Sequence, residues 1–91
     1  MLIRSQDKAF LLNFNNLTAI YMEKIDKDFA IVYNDFEDAY TLGKYSSEAK
    51  TLKVLDMIQE AYCKFMSVKN DDAWDGKESV FYMPADSEVE A

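Results

Sequence analysis

After Tyr45 the spacing of apolar residues changes, and no other feature of the chain constrains its fold as strongly. Before that point apolar positions recur every second residue. Phe10, Leu12 and Phe14 alternate with Leu11 and Asn13, the pattern of a strand buried on one side. After it, Leu52, Leu55, Ile58, Tyr62 and Phe65 recur at steps of three and four, Val54 and Ala61 widen the stripe, and Lys53, Glu60 and Lys64 take the opposite side. This spacing predicts one amphipathic helix over about residues 47–67. Ser46 or Ser47 supplies the N-cap, because a hydroxyl there accepts a bond from a first-turn amide. Glu48 suits the positive end of the helix dipole, and Lys64 and Lys69 lie near its negative end.

The remaining apolar runs read as strands. Leu2-Ile3-Arg4, Phe10 to Phe14, Leu17 to Met22, Phe29 to Tyr33, Ala39 to Tyr45 and Ser79 to Met83 are separated by polar reversals or by the helix, and Pro84 stops the last run. Gly43 marks a bulge or a point of close approach. Short joints between consecutive strands favour an antiparallel meander. The expected fold is therefore α+β in two layers, an antiparallel sheet of about five or six strands with the helix packed on one face. Residues 1–84 form a single domain on this reading, and residues 85–91 form an acidic, disordered tail. A chain of 91 residues that is 49% hydrophobic and 30% charged suits one globular core.

Several chemistries are excluded. Histidine is absent and Cys63 is the single cysteine, which removes Ser-His and Cys-His catalysis, Cys/His zinc sites and disulfides. Gly43 and Gly76 are the only glycines, too few for a phosphate-cradling loop. Cys63 lies toward the helix C-terminus, which does not activate a thiol, so it reads as a core or boundary residue. Tyr33, Tyr40 and Tyr45 read as packing residues. Asp71, Asp75 and Gly76 resemble part of a calcium loop, but its third and twelfth positions fall on Ala73 and Tyr82. No catalytic residue, metal or cofactor is expected. The longest apolar run, Ala9 to Leu12, is far short of the roughly 20 residues that span a bilayer, and the first residues lack a signal-peptide pattern. One free cysteine fits a reducing compartment. A cytoplasmic, non-enzymatic protein without membrane contact is the expectation.

Charge supplies the functional lead. The net charge is −7, and residues 71–91 hold seven acids against Lys77 alone, a local balance of −6. Nucleic acid is disfavoured as a direct ligand, and a basic protein surface is the natural complement. The same charge also serves solubility. Trp74 sits between these acids, where it either anchors a partner or folds back to cap the core. The candidate partner-binding residues are Asp71, Asp72, Trp74, Asp75 and Glu78. Ile20 and Met22 oppose Ala19 and Tyr21, so both sheet faces carry apolar groups. That pattern keeps open a homodimer through the uncovered face or the sheet edge.

Met1-Leu2-Ile3-Arg4-Ser5-Gln6-Asp7-Lys8, the run from Tyr40 to Glu48, and Val54-Leu55-Asp56-Met57-Ile58 on the helix resemble a loose group of small proteins from phages, prophages and mobile elements of Gram-positive bacteria. The likeness covers most of residues 1–66 and then Val80 to Pro84, and it carries no catalytic signature. It implies a protein that acts inside a host cell. Within that group, binding and blocking a host machine such as a nucleic-acid-guided nuclease is the implied activity, in the manner of anti-CRISPR inhibitors. Acid clusters can occupy a groove built for phosphate.

Overall fold

A computed structural model describes residues 1–14, 19–35, 37–68 and 80–90. Among these residues the elements are β1 (Leu2–Arg4), β2 (Leu11–Asn13), β3 (Ala19–Ile25), β4 (Asp28–Asn34), β5 (Ala39–Tyr45), α1 (Glu48–Val68) and β6 (Val80–Tyr82). The class is α+β. The expected single sheet is corrected: the strands divide into two sheets of three, ordered β3-β4-β5 and β2-β1-β6. The first is an antiparallel meander. In the second, β1 pairs antiparallel with β2 and parallel with β6.

The division has a local cause. The edge of β5 that a further strand would extend is occupied by Gln6, from the turn after β1. Its backbone N–H donates to the Leu42 carbonyl at 2.7 Å. Its side-chain Oε1 accepts from the Lys44 N–H at 2.9 Å, and its Nε2 donates to the Lys44 carbonyl at 3.0 Å. At this point β5 bulges: Ile31 lies opposite Gly43 and Val32 opposite Thr41, leaving Leu42 as the extra residue. A Cβ on Gly43 would stand 3.2 Å from the Gln6 Cβ and 3.1 Å from the Tyr45 hydroxyl. Gly43 is therefore the close-approach point that its isolation in a strand implied, and it lies beside the bulged Leu42.

The meander is set by its turns. β3 continues to Ile25, beyond the expected end at Met22, and a two-residue turn of Asp26 and Lys27 joins it to β4. Asp26 takes the left-handed backbone there, with φ 53°, a conformation that aspartate tolerates better than most residues. The joint to β5 is closed by Asp35, whose carboxylate accepts the Glu37 and Asp38 N–H groups at 2.9 and 2.8 Å.

Ser47 is the N-cap of α1, its Oγ accepting from the Lys50 N–H at 3.2 Å. The inward face is Thr51, Val54 and Ile58, continued by the half-buried Ala61 and Phe65, and it packs on β3-β4-β5. Leu52, expected on this stripe, is instead 45% exposed. Thr51 takes the inward place because its hydroxyl donates back to the Ser47 carbonyl at 2.8 Å, so burial leaves no polar group unpaired. The helix continues to Val68; Lys64 lies near its end, just before a last turn that contains no base.

One core joins both sheets to the helix. Ile3 and Met83 meet Ile31, Leu42, Tyr45, Val54 and Ile58, all at most 2% exposed. Burial of each such aliphatic side chain contributes about 1.5–3 kcal/mol. Tyr33 crosses between the sheets, its hydroxyl donating to the Asn13 carbonyl at 2.6 Å. Residues 85–90, expected to be disordered, pack against this body. Asp86–Glu88 forms a 3-10 turn, and Val89 is 5% exposed within the core. The acidic composition of the segment concealed this one apolar anchor.

Candidate functional site

The sequence-derived site, Asp71, Asp72, Trp74, Asp75 and Glu78, lies outside the described residues. So does Lys69, the other residue assigned to the helix end. The flanking elements are α1, which ends at Val68, and β6, which begins at Val80.

The C-terminal acids are described, and two of them serve the fold. Asp86 sits at the start of α1. Its carboxylate accepts the Ser46 N–H at 2.8 Å and the Ser46 hydroxyl at 3.0–3.1 Å, and it pairs with Lys50 Nζ at 3.4 Å. The Ser46 amide bond is the main cause holding its carboxyl below the ordinary range, with the Ser46 hydroxyl and the Lys50 charge acting in the same direction. Glu88 accepts the Ala85 N–H at 2.8 Å. Lys53 reaches the Glu90 carbonyl. Among the described acids after residue 70, Asp86 and Glu88 are engaged in local bonds. Ser46, one of two candidate caps, is the partner of this carboxylate instead.

The three strand tyrosines are packing residues: Tyr33 and Tyr45 lie within the core and the half-buried Tyr40 packs against it. Tyr33 and Tyr45 are buried and donate to the carbonyls of Asn13 and Pro84 at 2.6 and 2.8 Å. Burial pushes both phenols up, most strongly Tyr45. Tyr40 lies 3.5 Å from the Asp38 carboxylate, whose charge raises its phenol first. None has a side-chain base held against it in a cleft. Cys63 is exposed. The expectation of a core or boundary cysteine is corrected, because the buried stripe centres on Val54 and Ile58 and turns Cys63 away.

The outward face of β2-β1-β6, which no described element covers, was not singled out from the sequence. Strand register aligns Leu11, Arg4 and Tyr82 in one row, and Asn13, Leu2 and Val80 in the next. Leu11 is 48% exposed and Tyr82 62%. Lys8 Nζ stands 5.5 Å from the centre of the Tyr82 ring, a cation–π separation. The local signal was present, since Leu11 and Asn13 oppose Leu12. The three-strand row depends on β1 pairing with β6 across most of the chain, which no local pattern encodes.

Among the described residues, no group of three or more Asp, Glu or Cys is placed to hold a metal ion. The depression at the β3–β4 turn gathers Asp26, Lys27, Asp28 and Lys44 around Ile25, a mixed-charge surface with no enclosed reacting position. Among the same residues, no helix is long and apolar enough to cross a membrane. Comparison with protein-family models, curated proteins and solved structures found no match.

Proposed function

We propose that this protein is a non-enzymatic binding module that inhibits a nucleic-acid-handling defence enzyme of a host cell, in the manner of an anti-CRISPR inhibitor. It does so by presenting Asp71, Asp72, Trp74, Asp75 and Glu78 to a basic surface. The observation that carries this reading is the charge: −7 overall, with −6 after residue 70. Removing Asp86 and Glu88, whose carboxylates are engaged in the fold, still leaves a clear acidic excess in that region. Carboxylates placed in a phosphate-binding groove would displace nucleic acid through the same electrostatics that hold it there.

The test is retention on the immobilised protein from a bacterial lysate, with elution by rising salt and by competing DNA. Retained nucleic-acid-binding enzymes that DNA displaces, and that the Asp71→Asn, Asp72→Asn, Asp75→Asn triple variant fails to hold, support the reading. Equal retention by the triple variant at every salt concentration overturns it.

A further inference from the structure

We propose that the open face of β2-β1-β6 is a second binding surface, which takes a short acidic segment of a partner protein bearing an aliphatic or aromatic anchor. Leu11 and Tyr82 flank Arg4 across the three strands, and both are substantially exposed. Arg4 is the only arginine in the chain. Its Nε donates to the Lys8 carbonyl at 3.0 Å, which ties the guanidinium to the turn carrying Lys8, while the Lys8 ammonium stands over Tyr82. Among the described residues no carboxylate pairs with Arg4 or Lys8. Two cations with no acid partner among the described residues, set on an apolar row, run against the net charge of −7 that the chain carries.

The occupant follows from that chemistry. A guanidinium fork takes a carboxylate through two parallel bonds, and the adjoining Leu11, Leu2, Val80 and Tyr82 offer apolar area to neighbouring side chains. A nucleic acid fits less well. Its phosphates recur about every 1.7 Å along the duplex and call for a basic stripe, whereas this face has two cations on a strongly acidic chain. The surface shares no residue with the acid-led contact and is opposite in sign, so either proposal can fail without the other.

The full chain is titrated with a short synthetic peptide alternating Glu and Phe, followed by amide shifts in NMR. Shifts confined to β1, β2, β6 and the Lys8 turn are expected. Lys8→Gln and Tyr82→Ala, both at exposed positions, should each weaken binding about tenfold, while the Asp71→Asn, Asp72→Asn, Asp75→Asn variant keeps it. Three outcomes overturn the proposal: equal binding of the peptide with Gln in place of Glu, displacement of the peptide by an oligothymidylate, or sedimentation of the free protein as a dimer that Tyr82→Ala dissociates. The last result would assign the face to a second copy of the chain.

Discussion

The side-chain amide of Gln6 pairs with the backbone of Lys44 as a neighbouring strand would, accepting its N–H at 2.9 Å and donating to its carbonyl at 3.0 Å. The same Nε2 reaches the Pro84 carbonyl at 3.2 Å, where the Tyr45 hydroxyl also donates. One residue thus closes the edge of β5, holds the turn after β1 against it, and fixes the segment that follows β6. An edge treated in this way is not available for further strand pairing.

Gln6→Ala removes this bridge and should destabilise the protein by about 1–2 kcal/mol; water can replace part of the loss at the exposed Lys44 contacts. Gly43→Ala pushes a methyl against Gln6 and Tyr45 and should cost about 1–2 kcal/mol through the same contact. Urea denaturation of both single variants and the double variant tests the link. The double variant should lose less than the sum of the two, and strict additivity would show that Gly43 and Gln6 act separately.

The Asp86 clasp gives the protein an acid limit. Its carboxyl is held below the ordinary value of 3.8, first by the Ser46 amide. The folded state therefore binds this proton more weakly than the unfolded chain, and the stabilisation is complete above that ordinary value. It disappears as pH falls below it, through the lower value of the folded protein. Asp86→Asn should lower the melting temperature at neutral pH and flatten its fall in acid. Parallel melting curves for the two proteins down to the acid limit would remove Asp86 from the account.

The difference between what could be read and what could not lies in the range of the interactions. Residues 39–45, a polar reversal within residues 24–28, the helix and the close approach at Gly43 follow from alternation, turn chemistry and helical periodicity within a few residues of one another. The parallel pairing of Leu2–Arg4 with Val80–Tyr82 joins the two ends of the chain, and each partner alone is only a short apolar run. Thr51 and Leu52 show a subtler limit. Hydrophobicity assigns Leu52 inward, but a hydroxyl satisfied within its own helix lets the smaller Thr51 take the core position. Val89 was concealed in the same way by the acids around it. The proposed acidic site was legible as composition, because charge needs no fold to be counted.

Val89 makes the C-terminal segment part of the folded body. Val89→Ala removes two methyl groups from a nearly closed position and should cost about 1–2 kcal/mol. Val89→Asp places a charge in that core and should cost more, because the charge must be left unpaired or the segment released. Amide exchange measures the consequence: the Ser46 and Lys50 amides should lose protection in both variants. Unchanged protection would mean that the segment does not hold the start of α1.

Tyr45 sets the limit at the alkaline end. Burial, then the nearby Asp86 and Glu88 charges, push its phenol well above the ordinary 10.0. This contribution to stability is fully present below the ordinary value and is lost as pH rises above it toward the folded value. Phenolate absorbance should show Tyr45 ionising only together with unfolding. Tyr45→Phe should cost about 1 kcal/mol or less at neutral pH, because Gln6 still donates to the Pro84 carbonyl, and it should delay the alkaline loss of structure.

The register of α1 is tested by adjacent inward and outward positions. Val54 is fully buried and Leu52 45% exposed, although both are aliphatic and only two residues apart. Val54→Ala should destabilise by about 1–3 kcal/mol through lost burial and the space left behind. Leu52→Gln should stay within about 0.5 kcal/mol of the parent. Thr51→Val separates the hydroxyl from the volume: it preserves the shape but removes the bond to Ser47, whose carbonyl still accepts the Thr51 N–H at 3.2 Å, so the change should be about 1 kcal/mol or less. Urea midpoints in the order Val54→Ala lowest and Leu52→Gln highest are expected. A larger loss at Leu52 than at Val54 would mean that α1 is rotated on β3-β4-β5 toward the face that hydrophobicity alone assigns.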